Sequence, residues 1–449
     1  KGMFDGYVLT DVKNNPESGV VASVASHVYN SIIVDVRDKE YFEKAGYKMK
    51  YDATRKTTVD AWREFRNKCS KRALVIMPVQ TVELREFAIK NNLFVLNLNK
   101  ELGDAGAGQN ISLLEEVLAW LEPNAPVYGW EQGVSEDQFV ARVSKSGHPM
   151  IPCDWSYNHS LLSLLYEKGR EQVLPRIFDP RSIDFKKKKN FVSFFLSDGD
   201  NIQWMMQDFA SRYYDVPEAE DVKMTFGLPV ATLAMMAPVQ FNNLMGLQKQ
   251  NCSLMEMLGG GYYYVDTYSQ DHNRKTNLRV AAKRLAVSMR QYQIKLLGIM
   301  AMDVKSEAAK EAYQVYVDAN DQLEGIVVLQ YSPYAGGEGE VFWVTNKAGY
   351  DIPVITVKYS LWDRIHEREG SPDFIASKLK EEAQEESFSV VCVHAWSRFE
   401  GDTYGASAAK RCAERLDDRF EAINMQELVW RLRMSRRPEQ TLDYLNKIY

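Results

Sequence analysis

Short apolar runs alternate with polar, helix-compatible stretches from the beginning of the chain. Four runs predict buried strands, at residues 7–10, 31–36, 73–77 and 93–97. The stretches 83–90 and 113–121 have the pattern of helices between or after these strands. Such alternation is typical of a parallel α/β domain. Pro123, Asn124 and Pro126 then interrupt the pattern, so we predict that a first domain covers residues 1–125.

Eight further apolar runs follow in the rest of the chain, at residues 191–196, 222–226, 262–265, 295–301, 325–330, 352–357, 388–393 and 420–423. Helical segments separate them, including a periodic helix through Ala281, Leu285 and Met289 and a helix that starts at Ser371-Pro372. Eight strands alternating with helices predict a (β/α)8-like, TIM-type barrel, regular or distorted. The predicted fold class is therefore α/β, with an N-terminal parallel α/β domain (1–125), a connecting subdomain (126–185) and a barrel-like domain (186–449).

The composition is that of a folded protein with a large core. The chain has 449 residues, of which 45% are hydrophobic and 26% charged, and its net charge is −6. This balance argues against a nucleic-acid partner, which requires a basic face. No apolar stretch approaches the roughly 20 residues of a membrane-spanning helix, and five widely spaced cysteines without a CxxC pair predict neither a zinc knuckle nor a redox motif.

Two dense runs carry the strongest functional signal. The segment 197–201 reads Ser-Asp-Gly-Asp-Asn and follows the apolar run 191–196, and the segment 259–265 reads Gly-Gly-Gly-Tyr-Tyr-Tyr-Val. In these runs the chain resembles the GxGYxYP family, which is assigned to the glycoside hydrolases by prediction and is known mainly from gut Bacteroidetes. Gly259, Gly261, Tyr262 and Tyr264 occupy the fixed positions of the motif, whereas Val265 stands where the motif has proline. The resemblance extends to residues 130–160 and 393–396, and it implies a hydrolase exported to the periplasm or the cell surface.

In a parallel barrel the carboxyl ends of all strands meet at one face, so residues distant in sequence are expected to converge there. The residues after the predicted strands are mostly acids, amides and aromatics. Carboxylates and amides bind sugar hydroxyls while aromatic rings cover the apolar face of a sugar, so this mixture suits a carbohydrate site. The predicted substrate-binding residues are Asn201, Gln203, Tyr262, Tyr264, Asp266, Tyr331, Lys358, His394 and Trp396.

Glycoside hydrolysis ordinarily uses two carboxyl groups. The resemblance points to Asp198 and Asp200, but residues two apart on an extended segment face opposite sides unless Gly199 turns the chain. We therefore predict that one of the two acts with a carboxyl from another strand, with Asp303 as the leading choice. Two further acids in the glycine-rich loop 334–340 compete for that role, namely Glu338 and Glu340.

Each of these residues also has a structural interpretation. Asp200 or Asn201 is suited to capping a helix that begins near residue 202, and Asp303 to capping the helix that follows it. The two loop glutamates fit a solvated loop, and His394 fits a satisfied core histidine. Among the three tyrosines we predict Tyr263 to be the core residue. The cluster Asp154, Trp155, Asn158 and His159 fits either a site or a helix cap.

Two other functions remain open from the sequence. Strand-end Asp and His residues also suit metal-dependent deacetylation of sugars, although no HxxxH or HExxH pair is present. A non-catalytic carbohydrate-binding protein is the other alternative, which the departure at Val265 favours. No nucleotide-binding glycine motif occurs, so the sequence predicts a carbohydrate partner, no cofactor and no metal site.

Overall fold

The computed structural model describes residues 2–77, 83–98, 110–130, 135–165, 172–331, 334–363 and 370–449. These residues form two compact units. The first comprises residues 1–165 and 269–274, and the second comprises 166–268 and 275–449. No helix in the described ranges combines the length and the apolar character that crossing a membrane requires.

The first unit contains two separate parallel sheets. Its strands are β1 (Gly6–Thr10), β2 (Ser31–Asp35), β3 (Met49–Asp52), β4 (Ser70–Ile76), β5 (Leu93–Leu96), β6 (Val127–Gly129) and β7 (Met150–Ile151). Its helices are α1 (Glu17–Val28), α2 (Lys39–Lys44), α3 (Thr58–Phe65), α4 (Arg85–Asn91), α5 (Ile111–Trp120), α6 (Glu136–Lys145) and α7 (His159–Leu162), with a 3₁₀ turn at Arg66–Lys68. The strand orders are β2-β1-β3 and β5-β4-β6-β7. The predicted parallel α/β character is confirmed.

The second unit is built on one large sheet. Its strands are β8 (Asn190–Leu196), β9 (Thr225–Leu228), β10 (Ser253–Met257), β11 (Leu296–Ala301), β12 (Gly325–Gln330), β13 (Val341–Thr345), β14 (Asp351–Thr356), β15 (Tyr359–Leu361), β16 (Phe388–Val393) and β17 (Phe420–Ala422). Its helices are α8 (Ile202–Met205), α9 (Pro217–Asp221), α10 (Val230–Met236), α11 (Pro238–Leu247), α12 (Arg274–Gln291), α13 (Glu307–Ala319), α14 (Pro372–Glu381), α15 (Gly405–Glu414), α16 (Met425–Arg436) and α17 (Pro438–Ile448), with a 3₁₀ turn at Pro180–Ser182 and a π-turn at Ala210–Tyr214.

This sheet curls into a half-barrel. Its order is β13-β14-β12-β11-β10-β9-β8-β16-β15, and β17 pairs with β8. The neighbours are parallel except for β13, which runs antiparallel to β14 at one edge. Only two residues separate β14 from β15. Strand β14 pairs with β12 near one end of the sheet, and β15 pairs with β16 at the other end. The order does not confirm a (β/α)8 barrel, because it contains an antiparallel edge strand and no ring of eight paired parallel strands.

The predicted strand at residues 262–265 is wrong. The third strand of the sheet in chain order is β10, which precedes the tyrosine run. The tyrosine run itself contains isolated bridge residues rather than a strand, and one of these bridges pairs Tyr264 with Met300. The sequence of β10 contains Ser253 and Glu256. Because these residues are polar, the hydrophobic pattern did not indicate a buried strand there. Two short strands, β13 and β15, were not predicted.

The core of the second unit lies around the central strands. All seven residues of β8 are buried, and they include Phe191, Phe194 and Phe195. Helix α14 begins where local capping chemistry predicts, since Ser371 accepts a hydrogen bond from the backbone of Phe374 at its start. The carboxyl end of β8 is therefore anchored in a buried part of the sheet.

Candidate functional site

The chain turns sharply where β8 ends, at Asp198. This residue has φ +64°, a left-handed conformation that aspartate tolerates better than most residues, and its carbonyl accepts a hydrogen bond from the backbone of Asn201 at 3.3 Å. Gly199 then passes so close to β9 that a Cβ on it would lie 2.4 Å from the carbonyl oxygen of Gly227. The segment is therefore a tight turn, and the expectation for an extended segment, that Asp198 and Asp200 face opposite sides, does not apply.

The carboxylate of Asp198 is held by three donors. The indole nitrogen of Trp396 donates to Oδ1 at 3.1 Å, and the backbone nitrogen of Ala395 donates to Oδ2 at 3.4 Å. The hydroxyl of Ser197 donates to Oδ2 as well. Trp396 and Ala395 follow β16, which pairs with β8 along its whole length. The sequence predicted that these two strand ends meet, and the contacts join one predicted catalytic residue to one predicted substrate-binding residue.

His394 lies in the same cluster and is enclosed by aromatic rings. Its imidazole stacks on Trp362 with ring centroids 3.8 Å apart and planes 7° apart, and Tyr334 packs against both rings. Its Nδ1 lies 2.9 Å from the hydroxyl oxygen of Ser397. The histidine thus lies at the site and also has the satisfied contacts of a packed residue.

Burial lowers the pKa of His394 below its ordinary value of 6.5, and the negative charges of Asp198 and Asp363 oppose that change. The imidazole is therefore neutral near pH 7. Asp363 is exposed after β15, and the sequence reasoning missed it. The sequence offered little indication that Asp363 follows a strand, because β15 is only three residues long.

An exposed aromatic surface adjoins the Asp198 carboxylate. Trp396 is 43% exposed, and its ring lies 4.7 Å from that of Trp204, which is itself buried against Phe209 and Tyr213. An exposed tryptophan ring that packs against buried aromatic residues offers the type of surface on which sugar rings stack. Trp204 was not predicted.

The tyrosines of the glycine-rich motif are buried. Tyr262, Tyr263 and Tyr264 are 3%, 5% and 0% exposed, so the predicted distinction between a core Tyr263 and two open neighbours does not hold. The ring of Tyr264 contacts those of Tyr262 and Tyr331. Tyr263 instead shares a hydroxyl hydrogen bond with Tyr316 of α13.

The structure explains why glycine stands at both fixed glycine positions of the motif, Gly259 and Gly261. A Cβ on Gly259 would lie 1.8 Å from Oε1 of Glu256, and Gly261 has φ +106°, which side chains other than glycine rarely adopt. Val265, at the position where the motif has proline, is buried, and its backbone nitrogen donates to the carbonyl of Met300 at 2.9 Å. The departure from the motif therefore adds one hydrogen bond to β11 that proline does not make.

Glu256 on β10 is a buried carboxyl that sequence reasoning missed. It is fully buried, and its Oε2 accepts a hydrogen bond from the backbone of Ala231 at the start of α10 at 2.9 Å. Burial raises its pKa to about 8, against the opposing effect of nearby backbone donors. The available signal was a glutamate inside the apolar run 254–258 immediately before a glycine run.

Asp266 and Asp303 lie at the end of β11. The carboxylate of Asp266 accepts hydrogen bonds from the backbone nitrogens of Met302 and Asp303 at 3.0 and 2.9 Å. The side chain of Asp303 is exposed and accepts from the backbone of Lys305 at 2.9 Å. Helix α13 is capped by Ser306 rather than by Asp303. Asp266 thus has a structural role in this turn, and Asp303 is an open carboxylate.

Three further predicted residues are exposed after β12 and β14. Glu340 forms an ion pair with Lys305 at 3.0 Å, and Lys358 forms one with Glu382. Glu338 has φ +58° in the glycine-rich loop. No contact in the described ranges joins these three side chains to Asp198.

The other predicted residues lie close to the β8 turn. Asp200 is 7% exposed and Gln203 is 2% exposed. The amide of Gln203 donates to Oδ1 of Asn201 at 3.3 Å. Asn201 stands at the start of α8, but it makes no side-chain cap there, so the predicted capping role is not observed for this residue.

Other polar clusters lie outside this site. Among the described residues no group of three or more His, Cys, Asp or Glu side chains is arranged to hold a metal ion. In the first unit, Ser156 lies 2.6 Å from Nε2 of His159, and burial raises the pKa of Asp154 to about 6. Helix α7 begins after Asn158 without a side-chain cap, so the predicted capping role of this cluster is not observed.

Comparisons with known proteins indicate a family and a similar fold. A family model described as "GxGYxYP putative glycoside hydrolase C-terminal domain" matches residues 188–433, and one described as "GxGYxYP third domain" matches residues 72–164. A crystal structure of "a putative hydrolase" from Bacteroides thetaiotaomicron VPI-5482 is similar in fold, with a TM-score of 0.80 and 18% identity over 97% of this chain and 81% of that chain. The comparison with curated proteins finds no match.

Proposed function

Because this chain belongs to the GxGYxYP family, we propose that it hydrolyses glycosidic bonds in an oligo- or polysaccharide at the strand ends around Asp198. The observation that carries the proposal is the carboxylate of Asp198, which three donors orient beside the exposed ring of Trp396. Both oxygens accept hydrogen bonds, so the carboxyl group is held in one orientation. Such a group suits the nucleophile or the general base of a glycosidase, while Trp396 supplies a stacking surface for the sugar.

The second carboxyl, which protonates the leaving oxygen, is supplied by another acid near Asp198. Asp363 and Asp200 are the best supported, because Asp363 acts on the same histidine as Asp198 and Asp200 belongs to the same turn. Asp303 and Glu340 are further candidates, as the sequence predicted, whereas Glu338 lines a different cleft of the same unit. A neutral His394 between two acids is suited to hydrogen-bonding a sugar hydroxyl.

Asp198→Asn tests the proposal. Asparagine tolerates φ +64° as aspartate does, so the backbone is expected to remain unstrained. We expect release of reducing ends from a panel of polysaccharides and aryl glycosides to fall at least about a hundredfold, as is typical when a positioned acid-base group is lost. The melting temperature is expected to stay within a few degrees of that of the wild type.

Asp402→Asn is the matched control, because Asp402 is an exposed aspartate with φ +56°. Full activity of Asp198→Asn would reject the assignment, and a variant that loses folding together with activity would give Asp198 a structural role. The acid is identified separately, since aryl glycosides with good leaving groups need no protonation and retain activity when only the acid is replaced. Release of acetate instead of reducing ends would indicate a deacetylase, and binding without either product a carbohydrate-binding protein.

Export to the periplasm or the cell surface is also part of the proposal, and it rests on the family resemblance alone. Fractionation of cells that produce the full-length protein, followed by detection with a specific antibody, tests it. Recovery of the protein in the cytoplasm would reject it.

A further inference from the structure

A second cleft opens in the same unit, along the seam of the sheet. It has a volume of about 410 Å³ and lies between β13 and β14 on one side and β16 on the other. Strand β15 pairs only with residues 391–393 of β16. The first half of β16, residues 388–390, therefore has no described strand partner on the side that faces the cleft. The volume falls within the roughly 300–1,000 Å³ of ligand pockets.

The residues that line this cleft, here called the seam cleft, include equal numbers of acidic and basic side chains. Three acidic side chains (Glu338, Glu382 and Glu386) face three basic ones (Lys358, Arg436 and Arg437). Several are already paired with one another or with neighbours, since Lys358 pairs with Glu382 and Arg437 pairs with Asp351 at 2.9 Å. No hydrogen bond or ion pair joins the guanidinium of Arg436 to another described residue. A lining without excess charge favours an uncharged polar ligand.

Apolar and amide groups complete the lining. Trp343 of β13 and Phe388 of β16 are half-buried on opposite walls, and Arg437 packs over the indole of Trp343 at 4.6 Å. Gln384 is exposed at the rim. Aromatic surface combined with amide and guanidinium donors is suited to a ligand that carries both apolar faces and hydroxyl groups.

We propose that the seam cleft binds a neutral saccharide segment as an accessory site, separate from the Asp198 centre. This inference rests on the proposed carbohydrate function. The cleft shares no described contact with Asp198, Trp396 or His394, so it adds affinity for a long chain without taking part in hydrolysis.

The test is affinity gel electrophoresis of the full-length chain, with neutral polysaccharides in the gel. Asp198→Asn is the background, because it retains the cleft and does not degrade the gel. We expect Arg436→Ala and Gln384→Ala each to weaken retardation about fivefold, which corresponds to the loss of one hydrogen bond. Arg63→Ala, an exposed arginine of the first unit, is the matched control and is expected to leave retardation unchanged.

The same substitutions in the wild-type background separate this inference from the proposed function. Hydrolysis of short aryl glycosides is expected to remain unchanged in Arg436→Ala and Gln384→Ala. Unchanged retardation in both variants, with hydrolysis lost in Asp198→Asn, would overturn the accessory site alone. A wild-type protein that neither binds nor cleaves any polysaccharide of the panel would overturn both proposals, and stronger binding of uronate-containing chains would overturn the assignment to neutral saccharides.

Discussion

Replacement of the buried carboxyl of Glu256 by an amide is expected to change how the stability of the second unit depends on pH. The side chain is fully buried between β10 and α10, and burial raises its pKa to about 8. In the unfolded chain the group has its ordinary pKa of 4.5. Glu256→Gln retains the shape of the neutral side chain and removes the ionisation.

The sign follows from the raised pKa. Between pH 4.5 and pH 8 the unfolded chain is ionised at this residue while the folded chain holds the proton, so the free energy of unfolding falls as the pH rises. Each pH unit costs about 1.4 kcal/mol, so the loss between pH 5 and pH 8 is about 4 kcal/mol. Above pH 8 both states are ionised and the curve becomes flat.

The assay is urea unfolding of the wild type and Glu256→Gln at pH 5, 6, 7 and 8, followed by tryptophan fluorescence. The quantity compared is the difference between the two proteins at each pH, because other titrating groups contribute equally to both. We expect this difference to move in favour of the variant by about 4 kcal/mol across the range. Glu414→Gln, an exposed glutamate on α15, is the control and is expected to remain parallel to the wild type.

A constant difference between wild type and Glu256→Gln from pH 5 to pH 8 would refute the reasoning. It would mean that the folded protein holds Glu256 ionised, with the backbone donors at the start of α10 outweighing the cost of burial. Loss of folding in Glu256→Gln at every pH would show instead that an amide nitrogen cannot replace an oxygen that faces these backbone donors.

Three further predictions follow from local contacts. Gly259→Ala is expected to destabilise the protein by about 2–4 kcal/mol, because its Cβ meets Glu256, and Glu256→Ala is expected to restore part of that loss in a double-mutant cycle of thermal or urea unfolding. Trp362→Ala is expected to raise the pKa of His394 toward 6.5, because it removes the ring that keeps water from the imidazole, and NMR titration of labelled histidine detects this change; an unchanged pKa would contradict it. Glu340→Gln is expected to change the free energy of unfolding by less than about 1 kcal/mol, since its ion pair is exposed, so a loss of hydrolysis in that variant would report a catalytic role.

The sequence predicted the central strands well and the irregular ones poorly. Strands β8, β11, β12 and β16 are continuous apolar runs, and each was predicted within about one residue of its observed bounds. By contrast, β10 carries Ser253 and Glu256 at buried positions, and the tyrosine run after it resembles a strand more closely than β10 does. A hydrophobic pattern indicates burial rather than strand pairing. Both β10 and the tyrosine run are buried, but only β10 pairs with its neighbours as a strand.

The candidate site was predictable where it depends on strand order alone. Parallel neighbours bring their ends together, so Asp198, His394 and Trp396 were expected to meet. The roles of Trp362 and Asp363 depend on β15, a three-residue strand that no pattern marks. The sequence offered the turn at Asp198 only as an alternative in which Gly199 redirects the chain, and the structure shows both the left-handed backbone of Asp198 and the close approach of Gly199 to β9.

The motif that marks this family in the sequence supports the site rather than forming it. Its first glycine leaves room for Glu256, and its tyrosines are buried beneath the strand ends. Val265 belongs to the same scaffold, where its backbone hydrogen bond to Met300 ties the motif to β11. Val265 makes no described contact with the Asp198 carboxylate. The presence of valine in place of proline therefore gives no reason to expect a loss of hydrolysis. In this chain the candidate site is formed instead by the residues at the ends of β8 and β16, which supply the carboxylate, the imidazole and the exposed aromatic ring.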